Sequence, residues 1–309
     1  MRRVWTFVFP KASDDWLTIF RLGVGIELAL YCLSARSGWL ELLSNDAGTF
    51  SLRRISEALL SIESSLIPRV SWLVEVGQHL RVAESAVLRM IWAILLLSAL
   101  LLTVGLFCRQ AAVTAWFLHL ACVKSTEAFA YGMDLFLSIA LFYLMLAPLP
   151  DSKSLEIRVW RSSAHNPRMI GFFRRVLQLH LCVIYFFSGL AKCLGGNWWN
   201  GLNLWAALTR PPFNVLDPAL IARWNFALAP LGIAICLVEI SYPFLVWPKR
   251  TRTIWLGAVL AMHAGIGLAM GMYLFALIMI MLNLAAFAPD FILQRVFPRT
   301  LTGAAAANA

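Results

Sequence analysis

Hydrophobic positions in this chain gather into long runs instead of alternating with polar ones, and the runs have the length of bilayer crossings. Eight can be drawn: 16–35, 86–107, 110–124, 134–149, 174–194, 226–247, 254–271 and 273–288. The third and fourth are short for a hydrocarbon core of about 30 Å, so they require tilt or local thinning. The last two meet so tightly at Gly271-Met272 that they could form one broken helix. The pattern predicts an all-α, polytopic integral membrane bundle of about eight transmembrane helices, within a single membrane domain over 1–295.

Two stretches break the pattern. Residues 36–85 mix apolar and charged positions, as in Leu59-Leu60-x-Ile62 and Val70-x-Trp72-Leu73-Val74, which predicts helices lying on the interface. Residues 195–225 carry Trp198, Trp199, Trp205 and Trp224, and tryptophan favours the headgroup zone. Together they are expected to cap the outer helix ends. Residues 296–309 close with the small, featureless run Thr302–Ala309, which predicts a disordered tail. Met1-Arg2-Arg3 and Lys11 resemble the start of a signal peptide. Glu27 within the first run, and the lack of a small-x-small cleavage site, make that run a retained span. No internal repeat is visible.

Composition agrees. Of the 309 residues, 61% are hydrophobic and only 14% charged, whereas a soluble domain carries about a quarter charged residues. The net charge of +10 would suit nucleic acid, but the basic residues sit in short connections, as the positive-inside rule expects. With the N-terminus in the cytoplasm, fifteen Lys and Arg fall in inner connections and ten outside. Five of those ten lie in 36–85, where Glu41, Asp46, Glu57, Glu63, Glu75 and Glu84 offset them. Both termini are therefore expected inside. No basic helix with interleaved aromatics is present, so the expected partner is the lipid bilayer and not nucleic acid.

Several chemistries lack their residues. Six cysteines are scattered without Cys-x-x-Cys or zinc spacing, and such cysteines normally behave as small buried hydrophobes. Cys32 and Cys193, both near outer helix ends, are a pair that a disulfide could join. No His-x-x-x-His or Glu-x-x-His pattern occurs, so no metal is expected. There is no Gly-x-Ser-x-Gly elbow, and Gly195-Gly196 leads into tryptophans, not a phosphate loop.

The informative stretch is Tyr185-Phe186-Phe187-Ser188-Gly189-Leu190-Ala191-Lys192, followed by Gly195-Gly196-Asn197-Trp198-Trp199-Asn200-Gly201. Gln178, Tyr185 and Lys192 are seven apart, so they share one helix face, drifting only about 20° per step. Ser188 and Gly189 lie beside the same stripe. A lysine at the edge of hydrocarbon must be solvated, paired or neutralised, and a neutral one is a base. Snorkelling to the headgroups is the simpler account from position alone. The other intramembrane ionisable residues are Arg21, Glu27, His119, Asp134, Glu239 and His263. His119 reads as a hydrogen-bonded packing residue, while Glu239 and His263, mid-span on neighbouring runs, could bond one another or serve a proton path. Arg21 and Glu27 are six apart and are not an intrahelical pair.

The stretch Tyr185–Gly201 resembles a segment of the vitamin K-dependent gamma-glutamyl carboxylases and of the wider bacterial HTTM-domain family that shares their membrane portion. The shared pattern is an aromatic pair, here Tyr185-Phe186, then Ser188-Gly189, Lys192 and Trp198-x-x-Gly201. Arg21–Glu27, leading to Trp39-x-Glu41-Leu42-Leu43-Ser44-Asn45-Asp46-Ala47-Gly48, is similar to the family's opening helix and acidic-glycine turn. Tyr131-Gly132-Met133-Asp134-Leu135 through Leu146-Ala147-Pro148, then Ser154-Leu155-Glu156, is similar to its helix ending in proline and a Ser-Leu-acid motif.

The resemblance implies a carboxylase-like (lyase) enzyme of the bacterial inner membrane using reduced vitamin K or menaquinol. Lys192 would be its base and Tyr185 a catalytic neighbour. Where the carboxylases place a functional histidine, this chain reads Glu127-Ala128-Phe129-Ala130, which makes Glu127 the third catalytic candidate. Trp198, Trp199, Gly201, His263 and Glu239 would line the quinol pocket. An interior with Met262, Met270, Met272, Tyr273 and Phe275 would take the isoprenoid tail. The carboxylases' large propeptide-binding domain has no counterpart in these residues. The alternative is a non-enzymatic membrane component for maturation, export or immunity of a secreted peptide. A small-molecule carrier is a third class, without the repeated halves such carriers show.

Overall fold

The structure, a computed structural model, describes residues 2–45, 51–160, 165–288 and 295. The expected tail over 296–309, and the Asp46-Ala47-Gly48 part of the acidic-glycine turn, lie outside the described residues.

All regular structure among the described residues is helical. In chain order the α-helices are α1 (Arg2–Val8), α2 (Asp15–Ser34), α3 (Trp39–Leu43), α4 (Leu52–Glu63), α5 (Val70–His79), α6 (Glu84–Val104), α7 (Cys108–Ser125) and α8 (Gly132–Leu146). They continue with α9 (Leu155–Trp160), α10 (Pro167–Leu194), α11 (Gly196–Trp199), α12 (Leu202–Thr209), α13 (Pro218–Arg223), α14 (Leu228–Leu245), α15 (Lys249–Met270) and α16 (Tyr273–Phe287).

A helix covers each of the eight apolar runs, but only five of these helices combine the length and apolarity of a membrane crossing. They are α2, α6, α10, α15, and α14 with the turn before it. At 1.5 Å per residue the 15-residue helices α8 and α16 reach about 22 Å, short of a hydrocarbon core. The 18 residues of α7 include Arg109, Gln110, His119 and Lys124. Two boundaries moved for local reasons. α10 begins at Pro167 because Asn166 caps it, its side chain accepting from Arg168 N at 2.9 Å, with proline at the first helical position. α8 stops at Leu146 because the residue before Pro148 is pushed out of the helical region.

The long helices pack as two groups of four. In one, α2 lies on α6, which packs on α7 and α7 on α8; in the other, α10 lies on α14 and α14 on α15, which packs on α16. α16 joins them by running along α2, burying Ile278, Leu282, Ala285 and Ala286 to within 1% exposure.

Most of the short helices (α3, α4, α5, α11, α12 and α13) gather at the end where α10 terminates and α14 begins, the cap end. At the other end, α1 packs on the start of α10 and α9 on the α6–α7 turn. α4 inverts the usual pattern: it buries Arg53 and Ser56 beside Leu60 and leaves Leu59 and Ile62 open, as a helix lying on an interface does. Arg53 donates to Leu43 O at 2.7 Å and to Glu84 at 3.0 Å. Glu57 accepts from Ser125 Oγ at 2.6 Å, and Ser125 Oγ accepts from Val70 N at 2.8 Å. These bonds fasten α3, α4 and α5 to the ends of α6 and α7. Toward the other end, Arg21 reaches Asp151 at 2.5 Å and the carbonyls of Leu102 and Thr103. Thr18 Oγ1 donates to the same carboxylate at 2.6 Å. Arg21 and Glu27 are indeed separate, and Glu27 is fully buried with neither carboxyl oxygen bonded among the described residues.

Candidate functional site

The stripe on α10 faces the bundle interior at all three of its positions. The 28 residues of α10 exceed a hydrocarbon core, so its end residues can carry charge while its middle stays apolar. Gln178 Nε2 donates to Ala286 O at 2.7 Å. Two turns on, about 10 Å along the axis, the Tyr185 hydroxyl pairs with His263 Nε2 at 2.8 Å and accepts from Asn283 Nδ2 at 2.8 Å. Two further turns on, Lys192 Nζ donates to Glu239 Oε2 and to Ser188 Oγ, each at 2.6 Å.

Lys192 therefore does not snorkel free. Its side chain is 21% exposed and that of Glu239 7%. The Trp198 ring closes over the ammonium, its centroid 5.4 Å from Nζ. Two glycines let this contact form. A Cβ on Gly189 would lie 2.5 Å from Ile240 N, so α10 and α14 touch by their backbones one turn below Lys192. A Cβ on Gly232 would lie 2.4 Å from Trp198 O, so the cap also rests on bare α14 backbone.

Deeper in, Asn283 Nδ2 also donates to Met279 O, and Asn283 Oδ1 accepts from Tyr242 OH at 2.7 Å. The Tyr185 and Tyr242 rings lie 4.3 Å apart between centroids. Tyr185, Tyr242, His263 and Asn283 form one buried polar chain through α10, α14, α15 and α16. His263 Nδ1 has no partner among the described residues, and the Phe275 ring stands edge-on to the imidazole.

On the adjoining face of α14, Leu231, Ile235 and Val238 with Ala261, Met262, Gly265 and Met270 of α15 line an apolar groove of about 500 Å³. Leu204 and Leu208 of α12 roof it, and Leu204 packs on Gly232, where Trp198 also rests.

Sequence expectation and geometry agree for some residues and part for others. Lys192, Tyr185, Glu239, His263 and Trp198 come together. Glu239 and His263 do not bond one another: the carboxylate is taken by Lys192 and the imidazole by Tyr185. Trp199 folds back, its indole donating to Cys193 O at 2.8 Å. Gly201 works through its backbone, at φ 80° with a Cβ position 2.7 Å from Ala229 N. Glu127 is half-exposed in the short turn Glu127–Phe129 and takes the Lys124 ammonium at 2.6 Å. Of the residues expected to hold a tail, Met262 and Met270 line the groove, whereas Tyr273 is exposed. The cysteine pair corrects: all six are free, and the neighbour of Cys193 is Cys236, not Cys32. His119 is a packing residue, bonded to Ser138 Oγ at 3.0 Å. Asp134 accepts from Tyr131 N at the start of α8.

Asn283, Tyr242 and Asp151 escaped sequence reading. An amide inside the run Leu282-Asn283-Leu284 was the available signal, because an unpaired amide in hydrocarbon is costly. Among the described residues, no group of three or more His, Cys, Asp and Glu is placed to hold a metal. Compared with protein-family models, curated proteins and solved structures, the chain finds no match.

Proposed function

We propose that this chain is an eight-span, HTTM-type protein of the bacterial inner membrane with cytoplasmic termini, and that its cap-end site acts on a reduced isoprenoid quinone. The Lys192–Glu239 contact beneath Trp198 carries the reading. Crossing by α7, α8 and α16 is supported by their packing. Each lies lengthwise on longer helices, and a helix buried in protein need not match the lipid thickness.

The residues present suit such a group in kind. The apolar groove on α14 and α15 offers a lining for a prenyl chain, and the polar set on the adjoining face of α14 offers proton-exchanging groups. A bound quinol supplies acidic hydroxyls and reducing electrons. Lys192 holds its proton in contact with Glu239, and transfer from Nζ to Oε2 across 2.6 Å leaves a neutral amine, the form that accepts a proton. Ser188 and Trp198 orient the amine and limit water. Tyr185 and His263 stand two turns deeper, where they support the wall of the site.

Menaquinol binding to the purified protein in nanodiscs tests the reading. Lys192→Ala should abolish binding. Gly265→Phe should weaken it by filling the groove, since a Cβ at Gly265 meets nothing within 4 Å. If both variants bind as the wild type does, the assignment is wrong. If the wild type binds no menaquinol, the non-enzymatic role in peptide maturation, export or immunity replaces it.

A further inference from the structure

Two cysteines face one another across the same helix pair that holds Lys192 and Glu239. α10 and α14 run antiparallel, and their backbones meet where glycines stand. Between α10 and α14 that contact is Gly189 against Ile240, and the next toward the cap is Trp198 of α11 against Gly232 of α14. Cys193 is one turn beyond Gly189 on α10. Cys236 lies one turn before Ile240 and one turn after Gly232 on α14. The pair is thus bracketed by backbone contacts too close for any Cβ, α10 against α14 on one side and α11 against α14 on the other, and Cys193 is the thiol neighbouring Cys236. Helices this close bring facing Cα atoms toward the roughly 4.4–6.8 Å that a disulfide spans. The thiols also differ in access: Cys193 is partly exposed at the end of α10, whereas Cys236 is fully buried.

We propose that Cys193 and Cys236 are a redox-active dithiol that closes into a disulfide between α10 and α14. The oxidant is an external disulfide. The Cys193 thiolate attacks one of its sulfurs, the oxidant's S–S bond breaks, one thiolate leaves and a mixed disulfide forms on Cys193. The Cys236 thiolate then attacks Cys193 Sγ, the mixed disulfide breaks and the second thiolate leaves. Two protein thiols are oxidised and one external disulfide is reduced to two thiols. The protons lost by Cys193 and Cys236 end on the two departing thiolates. The bond would fix the register of the two helices one turn from the Lys192–Glu239 contact, whatever that site binds.

Full-length protein exposed to oxidised glutathione, alkylated and read by intact mass and peptide mapping tests this. The wild type should lose two hydrogens, resist alkylation at both positions, yield a peptide linking Cys193 to Cys236, and recover with dithiothreitol. Cys236→Ser should retain one glutathione on Cys193, and Cys193→Ser should leave Cys236 unreacted. A wild type that keeps glutathione on Cys193, links Cys236 elsewhere, or does not react at Cys193 overturns the proposal. The wild-type linkage decides alone if a serine variant fails to fold.

Discussion

Lys192 Nζ and Glu239 Oε2 meet at 2.6 Å across a helix pair whose backbones touch at Gly189. The two residues are 47 positions apart, and each is costly in hydrocarbon alone. Joined, they form an ion pair in which each charge offsets the burial cost of the other.

Lys192→Ala should therefore strand a carboxylate of 7% exposure and destabilise the protein by about 2–3 kcal/mol, below the range for a fully buried pair because the lysine is partly exposed. Lys192→Ala with Glu239→Ala should cost less than the lysine change alone. Reversible unfolding in micelles reads the cycle, and additive losses would argue against coupling.

Tyr185→Phe should cost about 1–3 kcal/mol, because it leaves His263 Nε2 and an Asn283 amide hydrogen without their partner in a dry interior. Tyr143→Phe removes one bond, to His180 Nδ1 at 2.9 Å, from a part-buried site and should cost less. Equal midpoints in a thermal unfolding comparison would contradict the buried chain.

Arg21→Met should be the most damaging single change at the other end, about 3–5 kcal/mol, because Asp151 is fully buried. Arg21→Met with Asp151→Leu should recover part of that loss. The expected readout is expression and unfolding midpoint, with the double variant between the single variant and the wild type.

Glu27→Gln should be neutral or stabilising at pH 7. The carboxyl is fully buried and unbonded among the described residues, so replacing it with an uncharged isostere removes a desolvation cost and no partner. A loss above about 1 kcal/mol, of the size of a hydrogen bond, would mean that Glu27 has a partner.

Helix placement was largely legible because apolar runs and their punctuation act locally. Every expected run became a helix, and the misplaced starts and stops trace to neighbours such as Asn166-Pro167 and Pro148. The stripe Gln178, Tyr185, Lys192 was legible for the same reason, since helical phase depends only on spacing.

What the chain determined by itself was thus its class and the inward face of α10. Which groups meet across helices was decided only by tertiary structure. Glu239 joined Lys192 and not His263, Arg21 found Asp151, Cys193 faced Cys236, and Asn283 bridged two tyrosines. The physical reason is that a buried polar group must be satisfied by whatever partner packing brings near. For Lys192 and Glu239 that choice turned on backbone contacts at Gly189 and Gly232, whose meaning depends on a neighbouring helix far away in sequence.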